Sequence, residues 1–170
     1  NAAGVLWDPV TELPAPGARI DAPLAVCNKS SFAPEEIRAF AAGRPWDCFG
    51  EGFEASAAHV RTPRITSGRM LFLDRVTDLD PRGGPWGRGY LRAETAVTPD
   101  DWFFGGHFKN DPCMPGTLML EACLQAMSFY LAALGLTLDR DGFRFEPVPG
   151  EKSKMRCRVQ VTPESRRLVY

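Results

Sequence analysis

Residues 117–138, TLMLEACLQAMSFYLAALGLTL, constrain this chain more than any other segment, because 16 of the 22 are apolar and none is proline. The run is too long for a strand, so it reads as a helix from about 117 to 134 with Gly135 as its end. Its apolar residues fall on nearly every face, which predicts a helix surrounded by the rest of the fold. Its one charged residue is Glu121, followed one turn on by Gln125. A central carboxylate costs roughly 2.5–3.5 kcal/mol in a bilayer, and Gln125 adds to that. A helix inside a soluble domain satisfies the composition better than a membrane span.

The material to surround it is limited. Residues 1–32 are proline-rich with little periodicity, and read as a linker or the end of a preceding domain; residues 33–170 read as one domain. SFAPEEIRAFAAG predicts a short amphipathic helix, with Ser31 as a cap, Pro34 in the first turn and Gly43 as its stop. RMLFLDRVTDLD suits a buried strand. GRGYLRAETAV alternates, with Leu91, Ala93, Thr95 and Val97 on one side and Arg92 and Glu94 on the other, so the two segments predict an antiparallel pair. KMRCRVQV alternates again, and with TPESR and RLVY it predicts a hairpin whose second arm is short. That unpaired edge suggests that C-terminal strands are missing. The fold class is α+β, a long central helix wrapped by an antiparallel sheet.

A formal net charge of -1 offers no broad attraction for nucleic acid. Cys27, Cys48, Cys113, Cys123 and Cys157 are odd in number, form no CxxC pair and have no histidine at ligand spacing, so neither structural zinc nor a disulfide framework is expected. The N-terminal residues lack the basic start and apolar centre of a secretory signal, which makes the cytoplasm the expected compartment. The glycines of RGGPWGRG have the wrong spacing for a dinucleotide fingerprint.

Chemistry concentrates in WFFGGHFKNDPCMPGTLMLEACLQAM, where His107 precedes Glu121 by 14 positions. An acid withdrawn from water resists ionisation and can donate a proton, while a neutral imidazole can accept one at the same pH. Elimination of water needs such a pair. Proline and glycine at Pro115 and Gly116 lead into the helix and leave its first N–H groups free for a carbonyl oxygen. Gln125, one turn beyond Glu121, can orient the acid. Cys113 has the character of a small apolar filler in the loop, Asp111 is the rival acid, and His59 has no comparable setting. The basic residues Lys154, Arg156, Arg158, Arg166 and Arg167 predict either a solvated strip or a docking face for an acidic carrier protein.

RMLFLDRV, together with Gly106-His107-Phe108, Asp111-Pro112, Met114-Pro115-Gly116 and Glu121, resembles the hot-dog dehydratases that act on 3-hydroxyacyl groups of acyl carrier protein. The likeness is to the beta-hydroxydecanoyl dehydratase/isomerase branch, and most closely to the dehydratase domains of bacterial polyunsaturated fatty acid synthases, which are related to polyketide synthases. It covers about residues 33–170. The resemblance implies His107 as the catalytic base, Glu121 as the catalytic acid and Gly116 as the N–H that meets the thioester carbonyl. Gln125 and Cys113 join Gly116 as candidate substrate-binding residues. It implies no metal and no cofactor beyond the phosphopantetheine that carries the substrate. It also implies a second hot-dog unit, as a homodimer or tandem domain, with histidine and acid of each site coming from different units. Glu121 departs from the aspartate of the isomerase branch and agrees with the simple dehydratases. The alternatives are a hot-dog thioesterase and a non-catalytic half that supports an active neighbour.

Overall fold

The computed structural model describes residues 24–25, 27–85, 87, 89–143, 150, 152, 156–157 and 159–170. The expected linker up to residue 23 therefore lies outside the described residues, as do Lys154, Met155 and Arg158 of the expected C-terminal strand.

Two short helices, α1 (Pro34–Ala41) and α2 (Pro45–Phe49), come first. α1 begins at Ala33 rather than Ser31, because the Glu36 carboxylate accepts the Ala33 N–H at 2.7 Å and occupies the capping position from within the helix. Gly43, at φ +79°, stops it as expected. Strands β1 (Arg75–Asp80) and β2 (Tyr90–Ala96) form the expected antiparallel pair, with Arg75 opposite Glu94 and Leu79 opposite Leu91, but β1 takes only the second half of RMLFLDRVTDLD: Gly68–Met70 is a 3-10 turn and residues 71–74 are not strand. β3 (Arg167–Val169) adds to the other edge of β2, also antiparallel, giving the order β1-β2-β3. The strand expected over KMRCRVQV is not formed by its described residues, where Cys157 and Val159 are exposed while Val161 is buried. Val161 is instead tied to the loop before the long helix, its carbonyl accepting the Met114 N–H at 2.8 Å.

That helix, α3 (Gly116–Ala133), runs 18 residues and ends where Gly135 turns at φ +71°. A side chain at Gly135 would meet the Ala25 backbone nitrogen at 2.7 Å, so glycine is required by conformation and by space. One side of α3 is buried, through Ala122, Gln125, Ala126, Phe129, Ala132 and Ala133. Phe129 is fully buried, with its ring centroid 4.9 Å from Phe32, 5.1 Å from Phe49 and 5.4 Å from Phe40. Phe32, at the junction of expected linker and domain, also exchanges backbone hydrogen bonds with Val76 and so links the helical layer to the sheet. The expectation that α3 is enclosed on all sides fails within this chain: Leu124 is 45% exposed and Met127 59%. Among the described residues, three strands and two short helices cover one side of α3.

Glu94 also departs from its expected place. It sits on the outward side of β2 yet is only 3% exposed, because Arg75, Arg92 and Arg167 lie over it at 3.1–3.3 Å. A carboxylate this buried is tolerated because three guanidinium groups face its two oxygens.

Since Phe129 joins α3 to both α1 and α2, Phe129→Ala should lower stability by about 3–5 kcal/mol. Urea unfolding followed by circular dichroism measures it. A loss under about 1 kcal/mol would mean that the aromatic cluster does not carry the packing of α3.

Candidate active site

The loop between β2 and α3 is pinned by aromatic burial before it carries any chemistry. Phe103 and Phe104 are 7% and 6% exposed, stack at 4.6 Å, and pack with Phe72, Met114 and Val161. The Trp102 indole donates to the Arg69 carbonyl at 3.1 Å. Past this anchor the chain folds back on itself: Phe108 and Asp111 exchange backbone bonds at 3.3 Å, and the Cys113 N–H donates to the His107 carbonyl at 2.7 Å. Asp111, the rival acid, is an exposed residue of that turn.

The turn brings the His107 ring against Cys113. Nδ1 lies 3.0 Å from the Cys113 carbonyl oxygen and 3.4 Å from its Sγ. A carbonyl only accepts, so Nδ1 must carry the hydrogen, and in the neutral ring the lone pair is then on Nε2. The imidazole is thus oriented by the main chain. Cys113 is 7% exposed and fills the space behind the imidazole.

Three residues after Cys113, α3 begins. The Leu118 and Met119 N–H groups turn back to the Pro115 carbonyl, while the N–H groups of Gly116 and Thr117 take no acceptor among the described residues. These free donors, at the positive end of an 18-residue helix, can hold a carbonyl oxygen.

Glu121 comes one turn on, and the structure corrects its expected setting: it is half-buried rather than sunk in the core. Its neighbours on the helix, Cys123 and Leu124, are exposed, so the described residues leave it partly open to water. Its Oε1 lies 2.9 Å from Gln125 Nε2 and 3.1 Å from Thr66 Oγ1. Gln125 is 3% exposed; its oxygen accepts the Phe72 N–H at 2.9 Å and its nitrogen reaches Thr66 Oγ1 and the Met70 carbonyl, both at 2.6 Å. Every polar atom of that amide is engaged by protein.

The structure therefore joins the candidate residues into two groups, His107 with Cys113 and Glu121 with Gln125, and no hydrogen bond links the groups among the described residues. Thr66 was not singled out in the sequence. Its separation from Glu121 by 55 positions left no local pattern to reveal it. Phe129 is wholly within the core, whereas Met119 is partly buried and Trp102 44% exposed. Along the outer side of α3, Leu91, Met127, Leu131 and Tyr170 border an apolar trough of about 320 Å³.

Residues 65–170 match the FabA-like domain. The chain belongs to the FabA-like domain family. The match begins at Ile65 and takes in all three strands, the His107 loop and α3, so the α+β hot-dog fold expected from the sequence is the fold of this domain. One of the subunits of a polyunsaturated fatty acid synthase from Thraustochytrium sp. is 38% identical over 107 residues, 63% of this chain. The chain spans 7% of that curated relative's length. In the FabA-like domain, no helix among the described residues is long and apolar enough to cross a membrane.

Because a backbone carbonyl sets the tautomer, Cys113→Ala should leave the hydrogen of His107 on Nδ1. Long-range ¹H–¹⁵N correlation spectra of the imidazole read this directly, and a shift of the hydrogen to Nε2 in the variant would show that the thiol, not the carbonyl, decides it.

Proposed function

We propose that residues 33–170 form a dehydratase domain that converts 3-hydroxyacyl thioesters on acyl carrier protein to trans-2-enoyl thioesters, within a polyunsaturated fatty acid or polyketide type synthase. The observation that carries this reading is the setting of His107: Nδ1 is committed to the Cys113 carbonyl, so Nε2 is presented as a base on the loop that opens α3 with free N–H groups. Membership of the FabA-like family and the similarity to part of a polyunsaturated fatty acid synthase support the same reaction class.

In this mechanism the Gly116 N–H binds the thioester carbonyl and draws electron density from the adjacent carbon. His107 Nε2 removes the proton from that carbon. The carbon–oxygen bond at the 3-position breaks, the double bond forms, and Glu121 gives its proton to the departing hydroxyl, which leaves as water. Proton exchange with solvent then restores neutral His107 and protonated Glu121. Cys113 backs the imidazole and Gln125 orients the acid. The substrate arrives on the phosphopantetheine of the carrier and no further cofactor takes part.

His107 and Glu121 have separate partners within one chain, and this supports a site built from two hot-dog units, one giving the histidine and the other the acid. The exposed Leu124 and Met127 side of α3 is consistent with a fold that gains further cover in its assembly. The reducing cytoplasm suits the five free thiols of the described chain.

The test is enoyl absorbance with a 3-hydroxyacyl thioester as substrate, in both directions. His107→Ala should reduce dehydration and hydration alike by about 10²–10⁴-fold, the usual contribution of a general base. Near-normal rates in both directions would reject the assignment of His107, and release of free thiol without an enoyl product would favour a thioesterase.

A further inference from the structure

We propose that Thr66 is a positioning residue for Glu121: its hydroxyl, held by Gln125, completes the hydrogen bonding of Glu121 Oε1 and leaves Oε2 as the oxygen that carries the transferable proton. The inference rests on the dehydratase reading and adds to it a residue that lies outside the His107 loop and α3, at the start of the segment that leads into β1.

The hydrogen count in this cluster is closed. The Gln125 amide is fixed in orientation, because the Phe72 N–H, a donor, faces its oxygen at 2.9 Å. Its two amide hydrogens therefore point the other way, towards three acceptors: Thr66 Oγ1 and the Met70 carbonyl at 2.6 Å, and Glu121 Oε1 at 2.9 Å. Two hydrogens cannot serve three acceptors with full strength. The third hydrogen is that of the Thr66 hydroxyl, which lies within reach of the Met70 carbonyl at 2.9 Å and of Glu121 Oε1 at 3.1 Å.

The two shortest bonds take both amide hydrogens, one to Thr66 Oγ1 and one to Met70. The Thr66 hydrogen is then free to turn to Glu121. When Glu121 is protonated its oxygen is a weaker acceptor and the hydroxyl can swing to Met70; when Glu121 has lost its proton the hydroxyl turns back and stabilises the anion. No donor among the described residues reaches Oε2. The proton to be given to the leaving hydroxyl thus sits on the free oxygen, and the charge left behind is met on the bonded one.

This also accounts for glutamate at position 121. Its reach brings Oε1 to a donor pair whose amide is anchored one helical turn away, so the longer side chain is clamped at its tip.

The experiment compares Thr66→Val, which keeps the shape and removes the hydroxyl, with Thr66→Ser, which restores it, in the protein with its natural neighbouring domains. Steady-state dehydration of a 3-hydroxyacyl thioester gives kcat and KM, and thermal unfolding gives stability. Loss of one hydrogen bond to a charged group predicts that Thr66→Val lowers kcat by about ten- to a hundredfold with KM within about twofold, and that Thr66→Ser returns kcat to within about threefold of the unaltered protein. If Thr66→Val does not fold, Thr66→Ala is compared with Thr66→Ser on the same criteria. Equal kcat in the unaltered protein and Thr66→Val, or equal loss in Thr66→Val and Thr66→Ser, overturns the role of Thr66 and leaves dehydration standing. Absence of dehydration in the unaltered protein overturns the reaction, and with it the part assigned to Thr66.

Discussion

A single buried amide, that of Gln125, fixes the position of the acid side of the site. It is 3% exposed and spans from α3 to the segment before β1, taking the Phe72 N–H and giving to Met70 and Thr66. Phe72 packs in the same cluster as Phe103 and Met114, so the amide couples the helix, the strand entry and the histidine loop. An apolar residue at 125 would leave the buried Phe72 N–H without its acceptor, a cost of about 1–3 kcal/mol before any effect on Glu121. Polar groups inside a core are retained only where their partners are complete, and here the count closes on both ends of the side chain.

Aromatic packing holds the opposite end of α3. Phe129 meets Phe32, Phe40 and Phe49 edge-on or tilted, which joins the helical layer formed before residue 50 to the helix that carries Glu121. The sheet adds a different constraint. Glu94 is buried under three guanidinium groups on the outward side of β2, and Arg167 on β3 supplies one of them at 3.3 Å. The ion cluster thus helps to place β3 beside β2, adding to backbone bonds that run from Arg166 to Tyr170. Arg167, read from the sequence as part of a basic strip, is spent in part on this structural charge.

The long helix, its glycine stop, the β1–β2 pair and the loop between Trp102 and Gly116 were all legible in the sequence, because each is written in local spacing: apolar runs, alternation, and proline or glycine at turns. What was not legible is long-range. Thr66 reaches Glu121 across 55 positions and Glu94 reaches Arg167 across 73, and neither separation leaves a periodic trace. The same limit explains the error over α3. Composition shows that a helix is apolar on all faces, but whether one chain holds enough surface to cover those faces depends on how the strands are placed, and here the side with Leu124 and Met127 is left outward.

The two halves of the site are held by unlike means, and this has consequences for how each can vary. His107 is oriented by a backbone carbonyl, a partner present whatever residue stands at 113, so the tautomer is protected from substitution there. Glu121 is oriented by two side chains, Thr66 and Gln125, each of which can be changed by a single substitution. An imidazole fixed by main chain and a carboxylate held by side chains allow the carboxylate to be repositioned without disturbing the setting of the histidine.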